Sequence, residues 1–180
     1  MASIIKANQL QDFGGNSIIG SDGAGNLTTQ KINYPAFEAY LSADQTVSDA
    51  IWTKMQINTE VLDTDNCYDN STNYRFTPTV AGKYFVYMCI TGDSTASGNC
   101  HWVFSRLYKN GSAYKQAIIQ FTNNEGRQAS VSITAIIDMN GSSDYLEAYG
   151  GVNTNGTTAE FHGDNTYDKC TYFGAYRIGS

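Results

Sequence analysis

The chain consists of short runs of apolar, aromatic and β-branched residues separated by turn-forming residues. Nine runs have the length and composition of β-strands, and no stretch repeats its apolar residues at helical spacing. They span residues 35–42, 52–62, 73–79, 82–91, 100–109, 112–122, 129–139, 144–152 and 169–178. This pattern predicts an all-β sandwich.

The run at 82–91 is unusual because both of its alternating rows are apolar or aromatic. One row holds Tyr84, Val86, Met88 and Ile90, and the other holds Phe85, Tyr87 and Cys89. A strand with one solvent-facing side alternates apolar with polar residues. We therefore expect this strand to be covered on both faces.

Two other local patterns predict structure directly. The run at 129–139 has one apolar row and one mostly polar row, on which Ile136 is the exception, so it is expected to have a single core face. Asn110-Gly111 lies between two β-rich runs, and both residues tolerate the positive φ angles of a type I′ turn. The sequence therefore predicts a two-residue hairpin at this point.

Composition and charge narrow the class of protein. Thirteen Tyr, eight Phe and seventeen Gly against two Pro favour strands and tight turns. The formal charge is −6 and the eleven basic residues are scattered, which argues against a nucleic-acid partner. Residues 1–34 are rich in Gly, Ser, Asn and Gln and poor in aromatic residues, so we expect a stalk at 1–34 followed by one domain at 35–180.

Targeting and redox signals are weak. The opening MASIIKANQLQ has one lysine and no apolar run of the length that a signal peptide needs, so we expect synthesis in a cytoplasm without an export signal. No stretch approaches the roughly 20 apolar residues that span a membrane, so no membrane insertion is expected. The cysteines lack CxxC spacing and are expected to be buried thiols: Cys67, Cys89, Cys100 and Cys170.

Polar clusters lack the spacing that catalytic or metal sites need. Cys100 and His101 are adjacent, so in a strand they point to opposite faces. The stretches LDTDNCYDN (62–70) and EFHGDNTYDKC (160–170) contain acids but match neither a zinc site nor a calcium loop. With no nucleophile–base motif either, the sequence predicts a non-enzymatic protein without cofactor or metal.

Five stretches resemble the C1q-like globular head of the C1q/TNF superfamily. YDNSTNYRFTPTVAGKYFVY (68–87) is similar to the family signature, in which Phe76, Gly82 and Tyr84 stand at the family's spacing. LYKNG resembles the family's next hairpin, and QASVSITAIIDM resembles the strand after the loop that follows it. PAFEAYLS resembles the family's first strand, and TYFGAYRI resembles its last. The match follows the family order from 35 to 178. It departs from the family by one added residue at 73–74, by Val86 in place of Phe and by Ala175 near a usual Gly.

The resemblance implies a jelly roll of two antiparallel sheets that assembles as a homotrimer about a three-fold axis. In that fold the strand at 82–91 lies in the inner sheet, with the core on one face and neighbouring chains on the other. The residues expected in the core and trimer interface are Phe37, Tyr40, Phe76, Tyr84, Phe85, Val86, Tyr87, Phe173 and Tyr176.

The N-terminal segment carries a second resemblance. SIIKANQLQDFGGNSIIGSDGAGNLTT (3–29) resembles the start of short appendage proteins of marine bacteriophages, so the stalk is expected to be β-rich. This implies a structural and binding protein of a bacteriophage virion, in a tail fibre or appendage tip, made in the host cytoplasm. The stalk would join other virion proteins, and the head would contact a host receptor or surface glycan.

Two other functions are compatible with the same residues. The main alternative is a secreted C1q-like lectin or ligand module of a cellular organism. An enzyme that degrades surface polysaccharide would need a carboxylate pair in a groove, which the sequence does not reveal.

Recognition is expected in long polar loops at one end of the head, because such loops on a rigid sandwich usually carry binding. The loops are 91–99, 122–127 and 153–168. Aromatic residues in the last loop, Phe161 and Tyr167, are candidates for stacking on a sugar. The full set of receptor-binding candidates is Asp93, Asn124, Phe161, His162, Asp164 and Tyr167.

Arg127 stands where, by the resemblance, some family members have an acid that binds calcium on the three-fold axis. Three guanidinium groups brought together by symmetry would repel a divalent cation, so we expect no calcium there. Three possibilities remain open. Arg127 either pairs with Glu125 of its own or a neighbouring chain, or holds a small anion, or it points into solvent.

Overall fold

The computed structural model describes residues 9–25, 27–28, 35–121, 126–163 and 169–179. These residues contain sixteen β-strands, and none of them forms a helix long and apolar enough to cross a membrane. The strands are β1 (Gln9–Gln11), β2 (Ser17–Ser21), β3 (Leu27–Thr28), β4 (Ala36–Tyr40), β5 (Gln45–Val47), β6 (Thr53–Lys54), β7 (Thr59–Asp63), β8 (Tyr68–Asp69), β9 (Arg75–Phe76), β10 (Ala81–Asp93), β11 (Cys100–Lys109), β12 (Ser112–Gln120), β13 (Gln128–Asn140), β14 (Leu146–Thr154), β15 (Ala159–Phe161) and β16 (Tyr172–Gly179).

The chain separates into two compact units, Met1–Tyr34 and Pro35–Ser180. In the first unit, β1, β2 and β3 form a three-stranded antiparallel sheet. The second unit, which we call the head, contains two further sheets.

The head is a sandwich of two antiparallel sheets. The inner sheet has the strand order β5-β15-β10-β16-β4-β7, and β13 pairs with the other edge of β10. The outer sheet has the order β12-β11-β14-β9-β8, and β6 also pairs with β14. The core lies between the sheets and takes apolar residues from both. This confirms the predicted all-β fold of two antiparallel sheets.

The long β10–β13 ladder forms the centre of the inner sheet. The two strands pair over thirteen residues without a break in register. Along β13, alternate residues from Val131 to Met139 are buried and those between them are exposed, as the sequence pattern predicted. Ile136 lies on the exposed row and pairs with Phe85 of β10.

The predicted hairpin is present between β11 and β12. Asn110 and Gly111 both have positive φ, at 53° and 75°, and they are the only residues between the two strands. Asn110 is further held by its side chain, which accepts a hydrogen bond from the Tyr145 backbone N–H at 2.9 Å. The Asn-Gly pair therefore fixes the register of the outer sheet at this edge.

Phe37 lies at the centre of the aromatic core. Its ring stacks on Tyr68 and Phe76, with centroids 4.5 and 4.6 Å away, and meets the edge of Phe173 at 4.9 Å. Several predicted core or interface residues are fully buried here within one chain: Phe37, Phe76, Tyr84, Val86 and Phe173.

Two predicted strands are shorter than expected. The run at 52–62 divides into β6 and β7 around an irregular segment that buries Met55 and Ile57. The run at 73–79 keeps only Arg75–Phe76, because Tyr74 has a φ of 48° that a strand does not accommodate. Cysteines 67, 89 and 100 are buried free thiols, as expected, whereas Cys170, which was also expected to be buried, is only partly buried.

Candidate functional site

The described parts of the three predicted recognition loops lie at one end of the head, which we call the loop end. Asp93, the last residue of β10, pairs with Gln128 and with Glu160. Cys100, the first residue of β11, pairs with Thr154 near the end of β14. The segments that follow β10 and β14 and the one that precedes β13 therefore meet at the same end of the sandwich.

An ion pair joins two of these segments. The Arg127 Nε–H donates to both carboxylate oxygens of Asp93, at 3.2 and 3.3 Å. Asp93 also accepts the Thr95 backbone N–H at 2.6 Å, and its side chain is almost fully buried. Asp93 is therefore an internal partner of Arg127, and it does not present an exposed contact to a receptor. The expected partner Glu125 lies outside the described residues.

A second polar cluster at the loop end joins three residues that are far apart in sequence. Asp44, Glu160 and His162 place one potential ligand atom each within 4.8 Å of the others. Asp44 Oδ1 lies 3.1 Å from His162 Nδ1 and accepts the Gly163 backbone N–H at 2.8 Å. Burial raises the pKa of Glu160, and the carboxylates of Asp44 and Asp93 raise it further.

One imidazole and two carboxylates suit a cation chemically, but the same contacts also tie the 159–163 segment to the loop after β4. Asp44 already accepts the Gly163 backbone N–H, so part of its charge is compensated within the chain. No sequence pattern indicated this cluster, because more than a hundred residues separate Asp44 from the other two.

A pocket of about 320 Å³ opens on the outward face of the outer sheet. Trp52 and Trp102 are the only tryptophans in the chain, and both line it. We call this the tryptophan pocket, and its lining residues are Ala50, Trp52, Trp102, Phe104, Ile118 and Asn153. Trp102 is 39% exposed and Ile118 is 47% exposed, so the pocket presents apolar surface to solvent.

The wall of the tryptophan pocket is held in place by packing. The Arg106 guanidinium lies over the Trp52 ring, 3.8 Å from its centroid, and the Phe104 ring meets Trp52 edge-on at 4.4 Å. Phe104 pairs with Gly151 of β14, where a Cβ atom would lie only 2.0 Å from the Phe104 ring. The glycine therefore allows the phenyl ring to lie flat against the neighbouring strand.

The outward face of the inner sheet is rich in exposed aromatic and aliphatic side chains. We call this the aromatic face, and its residues are Phe85, Tyr87, Ile136, Tyr172, Tyr176 and Ile178. The Tyr87 hydroxyl donates to Glu38 Oε2 at 2.6 Å, and its ring covers Gly174, where a Cβ atom would lie 2.3 Å away. Burial and this hydrogen bond raise the pKa of Tyr87 well above its usual range.

Comparison with known proteins gives matches by structure alone. No protein-family model and no curated protein matches the chain. The Eiger TNF of S. frugiperda matches with a TM-score of 0.58 at 10% identity, covering 82% of this chain and 94% of that one. Murine APRIL matches with a TM-score of 0.55 at 10% sequence identity, covering 81% of this chain and 100% of that one. The globular domain of the zebrafish complement 1qA protein matches with a TM-score of 0.56 at 14% sequence identity, covering 81% of this chain and 98% of that one. The head has a C1q/TNF-like jelly-roll fold.

Within this C1q/TNF-like head, the predicted interface residues divide between two places. Tyr40, Phe85, Tyr87 and Tyr176 lie on the side of the inner sheet that carries the aromatic face, and the other five lie in the core.

Among the receptor-binding candidates, Phe161 is fully buried, so its side chain cannot stack on a sugar as expected. His162 is partly exposed in the Asp44 cluster. Asn124, Asp164 and Tyr167 lie outside the described residues.

Sequence reasoning missed the tryptophan pocket, although one signal for it was present. In CHWVFSRLYK, Trp102 and Phe104 alternate with Val103 and the buried Leu107, so both rows of β11 carry apolar side chains. The same pattern at 82–91 predicted a second covered face. The same interpretation of the two apolar rows of β11 indicates an apolar surface on the outside of the head.

Proposed function

We propose that this chain is a non-enzymatic binding protein whose C1q/TNF-like head works as a homotrimer. The aromatic face carries this proposal, because Ile136, Tyr176 and Ile178 remain strongly exposed in the single chain. A contiguous exposed apolar surface on a sheet favours association. Closed three-fold symmetry buries the same patch on every copy, which also answers why both rows of β10 are apolar.

The proposal extends to a bacteriophage virion. The stalk would attach the protein to other virion proteins, and the loop end or outer surface of the head would contact a host receptor or surface glycan. The support is the resemblance of residues 3–29 to phage appendage proteins together with a rigid β-sandwich that presents several polar loops at one end.

The trimer is tested by gel filtration with light scattering. We expect a single species of three 19.7-kDa chains at micromolar concentration. Ile136→Glu on the aromatic face should release monomers, because it places three carboxylates in the interface. Ile51→Glu is the matched control, since Ile51 is 56% exposed, like Ile136 at 58%, but lies outside the inner sheet. A monomeric wild-type chain would contradict the proposal.

The virion role is tested separately by mass spectrometry of purified particles and by adsorption assays. The chain should be a stoichiometric component of the particle, and the recombinant protein should compete with particles for host cells. Its absence from particles would refute the virion role while leaving the trimer unaffected.

A further inference from the structure

We propose that the tryptophan pocket binds a neutral sugar residue of a surface glycan, by stacking the apolar face of a pyranose ring on the tryptophans. This rests on the proposed binding function and gives that function a ligand class and a location. The location differs from the one expected from sequence, which was the 153–168 loop with Phe161 as a stacking residue.

The shape and lining of the pocket are those of a site for a small ligand. Its volume of about 320 Å³ lies at the lower end of the range of roughly 300–1,000 Å³ that is usual for ligand sites. Both tryptophans of a 180-residue chain lie in its wall. Exposing Trp102 and Ile118 together has a hydrophobic cost that folding alone does not explain, because neither side chain is needed to fill the core.

The pocket is preorganised, so little conformational entropy is lost on binding. Arg106 covers one face of Trp52 and Phe104 fixes its edge, which leaves the indole in one orientation. Arg106 is itself held, since its Nη2 donates to Gln116 Oε1 on the neighbouring strand. Rigid aromatic side chains give contact area at a low entropic cost.

The chemistry of the lining selects a neutral, hydroxyl-bearing ligand. No described residue that lines the pocket carries a formal charge, and the neighbouring Arg106 guanidinium is already engaged by the Trp52 ring and Gln116, which disfavours phosphates, uronic acids and amines. Asn153 pairs with Trp102 across the β11–β14 ladder and supplies an amide that both donates to and accepts from hydroxyl groups. Sugars combine an apolar C–H face with such hydroxyls, whereas a hydrocarbon would leave the Asn153 amide unpaired.

A second pocket in the described part of the head fits this ligand less well. The pocket of about 470 Å³ beside β8 is lined mainly by polar residues, including Asp69, whose carboxylate already accepts several backbone and side-chain hydrogen bonds. The tryptophan pocket lies on the outer sheet, whereas the aromatic face lies on the inner sheet. Trimer formation through the aromatic face would therefore leave the tryptophan pocket open to solvent.

Intrinsic fluorescence tests this directly, because every tryptophan of the protein lines the pocket. The full chain is titrated with the methyl glycosides of glucose, galactose, mannose and N-acetylglucosamine, with methyl glucuronide as a charged probe and indole as an aromatic probe. We expect a saturable change with at least one neutral glycoside. Binding of only the charged or only the aromatic probe, or of none, would overturn the proposal.

Two variants identify the contacts, and both are checked for wild-type circular dichroism and oligomeric size. For Trp102→Ala and Asn153→Ala, each measured by calorimetry, we expect affinity for the bound glycoside to fall about tenfold or more. Trp102→Phe should recover part of the loss, and Ile51→Ala, beside the pocket but not lining it, should bind like wild type. Unchanged affinity in Trp102→Ala would refute the site.

Failure of the sugar-binding proposal can be distinguished from failure of the proposed function. If wild-type protein adsorbs to host cells but no glycoside binds, the binding function stands and the pocket is refuted as its sugar site. If a glycoside binds and the protein neither trimerises nor adsorbs to cells, the pocket proposal stands and the proposed function fails.

Discussion

Phe37 shows how a single side chain can join the two sheets of the head. It belongs to β4 of the inner sheet, yet its ring stacks on Tyr68 and Phe76, which belong to the outer sheet. Phe173 of the inner sheet closes the cluster from the side. Removing this ring would leave a cavity that neighbours on two separate sheets cannot easily fill.

Phe37→Ala should therefore lower the free energy of unfolding by about 3–5 kcal/mol. Urea denaturation at a fixed protein concentration measures this change in the free energy of unfolding. Phe13→Ala removes a fully exposed ring in the N-terminal unit and should change stability by less than about 0.5 kcal/mol. A loss below about 1 kcal/mol for Phe37→Ala would mean that the core rearranges around the gap.

At the scale of elements, the turn that connects β8 to β9 depends on one carboxylate. Asp69 accepts backbone N–H groups from Ser71, Thr72 and Asn73, at 2.9 to 3.1 Å. The Thr72 bond, with those from Ser71 and Asn73, holds the pKa of Asp69 well below its usual range. This turn leads the chain into β9 and so positions Phe76 in the core.

A depressed pKa in the folded state makes the contribution of Asp69 depend on pH. This contribution to stability is fully present at pH values above the pKa of Asp69 in the unfolded chain, about 3.9. It is lost as the pH falls below that value towards the pKa of Asp69 in the folded protein. Asp69→Asn should therefore destabilise the head by about 1 kcal/mol at pH 7 and by less at pH 3. Chemical denaturation at several pH values measures the difference.

Asp138→Asn is the control for this series. Its carboxylate pairs with Lys83 on the exposed row of the inner sheet, where ion pairs contribute little. We expect a change below about 0.5 kcal/mol at neutral pH. A loss for Asp69→Asn that is the same at pH 7 and pH 3 would show that the carboxylate charge is not what stabilises the turn.

At the scale of the whole head, the aromatic face and the tryptophan pocket lie on opposite sheets and have different proposed roles. The aromatic face is the outward surface of the inner sheet, and the tryptophan pocket is on the outward surface of the outer sheet. One surface can be buried between chains while the other stays accessible to a ligand. This arrangement is what a trimeric binding module requires.

If trimer formation is coupled to folding, stability depends on protein concentration. We expect the Tm of the wild-type chain to rise by about 2 °C for each tenfold increase in concentration. Differential scanning calorimetry over two decades of concentration measures this. Ile136→Glu should abolish the dependence and Ile51→Glu should retain it, and a concentration-independent wild-type Tm would argue against coupled assembly.

Local features of the fold could be predicted from the sequence because they depend on neighbouring residues. The alternation along 129–139 determines which face of β13 is buried, and the Asn110-Gly111 pair determines a two-residue hairpin because both residues accept positive φ. Composition alone indicated strands and turns without helices. The order of the C1q-like stretches then indicated the sandwich that the structure shows.

Tertiary contacts decided what local patterns could not, since burial depends on residues far away in the chain. Phe161 lies in a polar stretch but is buried because β15 pairs with the end of β10. Trp52 and Trp102 form one pocket only because β6 and β11 both pair with β14. The order of residues alone puts apolar side chains in both rows of β10, whereas the packing of the two sheets selects the row that remains available to a partner.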